Sequence, residues 1–150
     1  MRSQVAFEPV VESDAEDLAV IRVEAMRESL ERIGRFDPQR ARDRFLSTFS
    51  PAHTRHILLG SKKVGFFVVK PEEGGLLLDH LYVRPGYQGQ GIGAAVLAEV
   101  FAQADRVACL VRVGVLRESL SNRFYAQHGF ALVEQTEFDN YYVRHATNAL

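Results

Sequence analysis

Cysteine is nearly missing from this sequence: Cys109 is the only one in 150 residues. That excludes an internal disulfide, and the apolar run around Cys109 reads it as a small core residue in a reducing compartment. An excess of either charge is missing too. The 18 basic and 19 acidic side chains leave a net charge of −1, so nothing draws the chain toward nucleic acid or a membrane surface. No apolar run approaches the roughly 20 residues of a membrane-spanning helix. The opening MRSQVAFEPVVESDAEDL holds no apolar stretch of signal-peptide length and turns acidic quickly. The expected location is therefore cytoplasmic. Repeats, linkers and low-complexity tracts are absent, and the length suits one domain over residues 1–150. No metal site is expected: His53 and His56 lie three apart, but no further Cys or His completes a ligand set.

What is present is an ordinary apolar fraction, 47%, which argues against disorder, arranged in a readable order. Val5 to Val11 reads as a strand. Ser13-Asp14 caps a helix carried by Leu18, Ile21 and Ala25 and ended by Gly34. Asp37-Pro38 restarts the chain as N-cap and first helical residue, and Ala41, Phe45 and Phe49 form one stripe. His56 to Leu59 and Val64 to Lys70 read as a hairpin around Gly60-Ser61. Leu76 to Val83 is a nearly all-apolar strand, hence central. A helix over Gly91 to Ala104, a strand over Ala108 to Val113 and a helix through Leu116, Leu120 and Phe124 follow. Gly129 ends the last helix, and strands over Phe130 to Thr136 and Tyr141 to His145 close the chain. The fold class expected is α/β (α+β): a mixed, mostly antiparallel sheet of about seven strands flanked by about four helices.

Glycine is concentrated in one place. Gly86, Gly89, Gly91 and Gly93 fall between that central strand and the helix after it. Bare backbone leading into a helix suits an anion, because successive N–H groups converge at the positive helix end. Two common phosphate loops fit poorly. The spacing from Gly86 to Gly91 is that of a P-loop, but Ile92-Gly93 stand where Lys-Ser/Thr must be. Gly89-Gln90-Gly91-Ile92-Gly93-Ala94 matches the dinucleotide pattern formally. Arg84 to Gln88 nevertheless separate the strand from the first glycine, and that strand belongs to an antiparallel series.

The segment Gln88-x-x-Gly91-x-Gly93 resembles the Q/R-x-x-G-x-G/A motif of the GNAT superfamily, acyl-coenzyme A-dependent N-acyltransferases. The preceding Leu-Tyr-Val-Arg-Pro resembles the exit of that family's fourth strand. "SLSNRFYAQHGF", Ser119 to Phe130, is similar to its later motif, where a helix ending in Tyr-x-x-x-Gly-Phe runs into a strand. The order of strands and helices follows the family's fold from end to end.

The resemblance implies an acetyl-CoA-dependent N-acetyltransferase acting on a primary amine of a small molecule or peptide, with no metal, and homodimers are common in the family. The alternative it leaves is a non-catalytic coenzyme A-binding sensor or partner-binding module. Leu81, Tyr82 and Val83 would pair through a bulged backbone with pantetheine. Gln88, Gly89, Gln90, Gly91, Ile92, Gly93 and Ala94 would hold the pyrophosphate. Tyr125 matches the family's general acid; a phenol of pKa about 10 can share its proton with a thiolate of about 8–9. Ser119, Asn122 and Tyr125 recur every three residues on one helical face, and either Ser119 or Asn122 would touch the cofactor. Asp79 and His80 are the only ionisable groups in the apolar strand. They point to opposite faces, so either one, or a water chain, would serve as base. The acceptor would be framed by Glu31 to Pro38 and Thr136 to Tyr142.

Overall fold

The computed structural model describes residues 4–147. Among these residues, seven strands form one mixed sheet in the order β1-β2-β3-β4-β5-β7-β6, with four α-helices. The strands are β1 (Val5–Pro9), β2 (Thr54–Leu59), β3 (Lys62–Glu72), β4 (Gly75–Val83), β5 (Leu110–Leu116), β6 (Ala131–Gln135) and β7 (Asp139–Arg144). The helices are α1 (Ala15–Arg32), α2 (Pro38–Thr48), α3 (Ile92–Arg106) and α4 (Ser121–Gln127). Contacts gather the chain into two compact units. One runs through Val68 and includes His80–Gly93; the other holds Val69–Asp79 and everything from Ala94 onward.

In the first unit, β2 pairs antiparallel with β1 and with β3. Glycines at positive φ make its turns, Gly60 at +65° between β2 and β3 and Gly34 at +69° after α1. Both helix restarts follow from local chemistry. The Asp37 carboxylate accepts the Arg40 N–H at 3.1 Å, capping α2 behind Pro38. Asp14 accepts the Val11 N–H at 2.9 Å ahead of α1. That backbone bond, with His56 Nε2 3.0 Å away, holds the Asp14 carboxyl below its ordinary pKa. Leu18, Ile21, Phe45, Phe66 and Val68 form the core, with Tyr82 packed against it. Each such side chain contributes roughly 1.5–3 kcal/mol on burial.

In the second unit, β5 alternates strictly: Val111, Val113 and Val115 are buried, while Arg112 and Gly114 are exposed. It runs parallel to β4, Gly75↔Leu110 through Leu78↔Val113, and antiparallel to β7. Two sequence boundaries need correction. The strand begins at Leu110 rather than Ala108, and Leu116 closes it instead of opening a helix. Leu120 is exposed, and α4 starts only at Ser121. The spacing of Leu116, Leu120 and Phe124 is helical, but the Asn122 amide takes up the carbonyls of Leu116, Arg117 and Ser119. A side chain that binds those carbonyls holds the segment as a turn.

Asp105 on α3 ties down the far end of β7. Its carboxylate accepts both arms of Arg144, at 2.7 and 3.1 Å, and the N–H and hydroxyl of Thr147. Arg144 also lies 4.1 Å over the Phe101 ring. The Arg144 guanidinium, aided by Thr147, pulls the Asp105 pKa from 3.8 to about 2. Between those values the unfolded chain holds the proton and the folded one does not, so stability rises with pH. Asp105 thus contributes fully above about pH 4, and its share is lost as pH falls toward 2. Urea midpoints measured from pH 5 to pH 2 should fall more steeply for the wild type than for Asp105→Asn. Parallel curves would remove Asp105 from that role.

Candidate functional site

The end of β4 and the glycine segment belong to the first unit. Tyr82 donates its hydroxyl to Met26 Sδ at 3.4 Å. Its ring centroid lies 5.5 Å from those of Phe66 and His80. His80 is on the same side of the strand, 5.8 Å from the Phe45 ring, with Nδ1 3.3 Å from the Tyr82 hydroxyl. Asp79, one residue earlier, is paired instead with Lys70 at 3.2 Å. The two base candidates therefore have different surroundings, an aromatic one for His80 and a charged one for Asp79. Leu81 and Val83 are half-buried.

Gly65 on β3 was not singled out by the sequence, yet it sets how β4 lies here. A Cβ at Gly65 would stand 2.1 Å from the Tyr82 carbonyl oxygen and 3.1 Å from the Val83 Cα. Only glycine lets the two backbones approach this closely. The Arg84 N–H then donates to the Val64 carbonyl at 2.8 Å, just before the strand exits.

Beyond Val83 the chain makes a 3-10 turn at Pro85–Tyr87, closed by the Tyr87 N–H on the Arg84 carbonyl. Gln88 reaches back, its Nε2 donating to the Val83 carbonyl at 3.0 Å. This bond ties the loop to the strand. Gly89 and Gly91 take φ of +77° and +80°, a region that side chains other than glycine rarely occupy. Nothing lies within 4 Å of a Cβ built on either, so their outer side is open. Gln90 is exposed and Ile92, first residue of α3, is buried. Gly93 and Ala94 continue the first turn of that helix. Left-handed glycines on an open loop at the start of a fifteen-residue helix suit an anion.

Tyr125 lies in the second unit, on α4. It is 6% exposed, and its ring stands edge-on to Phe124 and Phe130 at 5.2 and 5.3 Å. Its carbonyl accepts the N–H groups of His128 and Phe130, and Gly129 at φ +89° makes that return possible. The expected shared helical face of Ser119, Asn122 and Tyr125 is only partly formed, because Ser119 precedes α4. The Ser119 hydroxyl oxygen accepts the Ser121 N–H at 3.0 Å. The Asn122 amide is committed inside the protein. Besides its three carbonyl contacts, its Oδ1 accepts from Asn140 Nδ2 at 2.9 Å and the Tyr142 hydroxyl at 2.8 Å. Those bonds use the amide's donors and both acceptor positions.

The second unit also holds a cavity of about 240 Å³ where the β4–β5 ladder ends. Glu72, Leu78, Asp79, Arg112, Gly114 and Tyr141 are among its walls. Gly114 makes room for the Tyr141 ring, whose Cε1 would be 3.1 Å from a Cβ there. Of the segments expected to frame an acceptor, Tyr141 lines this cavity. Phe36 receives the Arg27 guanidinium at 5.3 Å, and Arg32 pairs with Glu28. Glu72, Arg112 and Gly114 escaped the sequence reading. Arg112 is a lone charge and Gly114 a mid-strand glycine in the apolar strand β5, whereas Glu72 sits in a charged turn stretch that gives no such signal. His53 and His56 serve locally: His53 Nδ1 is 2.8 Å from Ser50 Oγ, and His56 bonds Asp14. No helix among the described residues is long and apolar enough to cross a membrane.

The sequence profile of the acetyltransferase (GNAT) domain matches residues 52–132. No curated protein matches the chain. Many solved structures do. The PaiA N-acetyltransferase of Thermoplasma acidophilum, solved with coenzyme A, has a TM-score of 0.78 at 18% identity, covering 95% of this chain and 99% of its own. A GCN5-related N-acetyltransferase of Rhodopseudomonas palustris has a TM-score of 0.79 at 19% identity, covering 97% and 98%. The ribosomal-protein-S18-alanine N-acetyltransferase of Escherichia coli has a TM-score of 0.72 at 15% identity, covering 97% and 96%.

Proposed function

Since the chain belongs to the GNAT acetyltransferase family, we propose that residues 1–150 work as one domain that transfers an acetyl group from acetyl-CoA to a primary amine. The observation that carries the cofactor half is the loop after β4. Gly89 and Gly91 stand left-handed and open, with Gln88 bonded back to Val83. The coenzyme A bound to the Thermoplasma relative supports the same reading.

Bound acetyl-CoA supplies an activated thioester. The chain's own residues do the rest. Backbone amides from Gln88 to Ala94, including Gly89, Gln90, Gly91, Ile92 and Gly93, hold the pyrophosphate at the positive end of α3. Backbone groups of Leu81, Tyr82 and Val83 pair with pantetheine, and a Val83 N–H polarises the reacting carbonyl. Ser119, at the entrance to α4, is the polar contact to the cofactor. Asn122, with its amide occupied, fixes the turn on which Ser119 sits. The amine must lose a proton and the departing sulfur must gain one. Asp79 or His80 receives the first, directly or through water, and the Tyr125 phenol gives the second. Holding the partners together supplies much of the acceleration.

Gly91→Ala tests the loop. A side chain at φ +80° costs roughly 1–2 kcal/mol, so coenzyme A affinity should fall about tenfold by titration calorimetry. Unchanged affinity would place the pyrophosphate elsewhere.

A further inference from the structure

The aromatic side of β4 carries a chain of three polar atoms with one direction. Met26 on α1, Tyr82 and His80 all belong to the first unit. The Tyr82 hydroxyl donates to Met26 Sδ at 3.4 Å, and His80 Nδ1 stands 3.3 Å from the same oxygen. A hydroxyl has one proton, and a thioether only accepts. With that proton on sulfur, the contact to His80 takes its proton from the ring, so Nδ1–H donates to the phenol oxygen. The reverse order, phenol to Nδ1, makes one bond where this order makes two. Packing holds the rings in place. His80 lies 5.8 Å from the Phe45 ring and 6.4 Å from Phe66, and Tyr82 is 5.5 Å from both Phe66 and His80. The bond that one ring nitrogen makes fixes the protonation of the other, so the lone pair of this imidazole is on Nε2.

From this chain we propose that Tyr82 is a positioning residue: it holds neutral His80 with its proton on Nδ1, which makes Nε2 the base that receives the amine's proton. The inference rests on the transferase reading above and chooses between its two bases. Asp79 faces the other side of the strand. Its carboxylate is engaged by Lys70 at 3.2 Å, and taking a proton would break that pair. His80 instead shares a unit with Val83 and the glycine segment, so one frame holds the base and the cofactor loop. Val83 follows His80 by three residues, about 10 Å of strand, a gap that the imidazole spans together with the amine or one water. In the step itself the amine lone pair forms the C–N bond and the C–S pair leaves on sulfur. The surplus proton on nitrogen passes to Nε2, and His80 returns it to solvent. The 3.3 Å contact is long for an N–H···O bond, and catalytic hydrogen bonds of this kind tighten once substrate is bound.

The test reads the tautomer directly and the rate beside it, on full-length protein. Long-range proton–nitrogen NMR spectra of protein carrying isotope-labelled histidine distinguish protonated from bare ring nitrogens. They are taken at about pH 8.5, above the ordinary imidazole range. His80→Gln identifies the signal among the five histidines. Rates are thiol release from acetyl-CoA with ethylamine, alaninamide or 1,4-diaminobutane, whichever turns over fastest. Wild-type His80 should show a proton on Nδ1 and none on Nε2. Tyr82→Phe keeps the ring and removes the oxygen. The Nε2–H form should then appear, and kcat should fall about tenfold with the amine KM within about twofold. Met26→Leu conserves volume and releases the phenol proton to turn toward Nδ1. It should shift the tautomer in the same direction and lower kcat about threefold with Tyr82 intact, which a purely structural role for Met26 would not do. The double variant should be no slower than Tyr82→Phe alone, because both act through one chain. If Tyr82→Phe does not fold, the wild-type and Met26→Leu spectra decide. A wild-type proton on Nε2, alone or with one on Nδ1, overturns the proposal. So does an unchanged tautomer in Met26→Leu, or a larger loss of kcat in Asp79→Asn than in His80→Gln. A tautomer that shifts as expected in a protein that acetylates no amine keeps the positioning of His80 and overturns transfer.

Discussion

Tyr125→Phe should lower kcat for acetyl transfer by about 10²-fold or more, within the range general acids supply, while coenzyme A affinity stays within about twofold. The substitution removes one oxygen and keeps the ring. That ring is packed edge-on against Phe124 and Phe130, so the end of α4 retains its shape. Loss of a single hydroxyl hydrogen bond costs about 1 kcal/mol of stability, too little to unfold a domain of ordinary stability. A drop in kcat at constant coenzyme A affinity therefore reports a proton missing from the reaction. Stopped-flow thiol release and titration calorimetry on the same preparation separate the two quantities. An unchanged kcat removes Tyr125 from its role as acid. Coenzyme A binding by a wild type that turns over no amine would favour the non-catalytic binding module.

Gly65→Ala should have the largest effect on structure. The added carbon would stand 2.1 Å from the Tyr82 carbonyl oxygen, far inside contact distance, and the obstacle is backbone rather than a movable side chain. β4 must shift away from β3 where Tyr82 and Val83 are proposed to meet pantetheine. Over-packing of this kind costs about 1–3 kcal/mol or more, and the rigid obstacle sets the expectation at the upper end. Urea denaturation should show that loss, or the variant should fail to fold. Any folded fraction should bind coenzyme A more than tenfold more weakly. Gly86→Ala is the control. A Cβ there meets nothing within 4 Å and its φ is not positive, so stability should stay within about 0.5 kcal/mol of the wild type. A Gly65→Ala variant as stable as Gly86→Ala would mean that the close approach of β3 and β4 is not required.

Much of the fold is written locally, and those parts were legible. Asp37-Pro38 caps a helix through a bond only three residues long in sequence. Gly60, Gly34 and Gly129 adopt the positive φ that their turns demand. The glycine segment after Val83 also reads correctly as a loop entering a helix, because strand, loop and helix are contiguous. Legibility fails where a long-range partner decides. Leu116, Leu120 and Phe124 keep helical spacing, yet β7 claims Leu116 for the sheet through its pairing with Asp139, and Asn122 pins the turn. Asn122 looked available to a ligand because Asn140 and Tyr142, which occupy its oxygen, are 18 and 20 residues away. The cavity could not be foreseen for the same reason. Glu72, at the end of β3, and Arg112 on β5 are 40 residues apart in sequence and meet only once β4, which follows Glu72, lies parallel to β5.

The most direct test of acetyl transfer is to incubate the purified protein with acetyl-CoA and a panel of primary amines, following free thiol and the acceptor's mass together. The expected result is thiol released in proportion to an amine that has gained one acetyl group. No thiol and no acetylated amine across the panel, from a protein that is folded and saturated with acetyl-CoA, would contradict it.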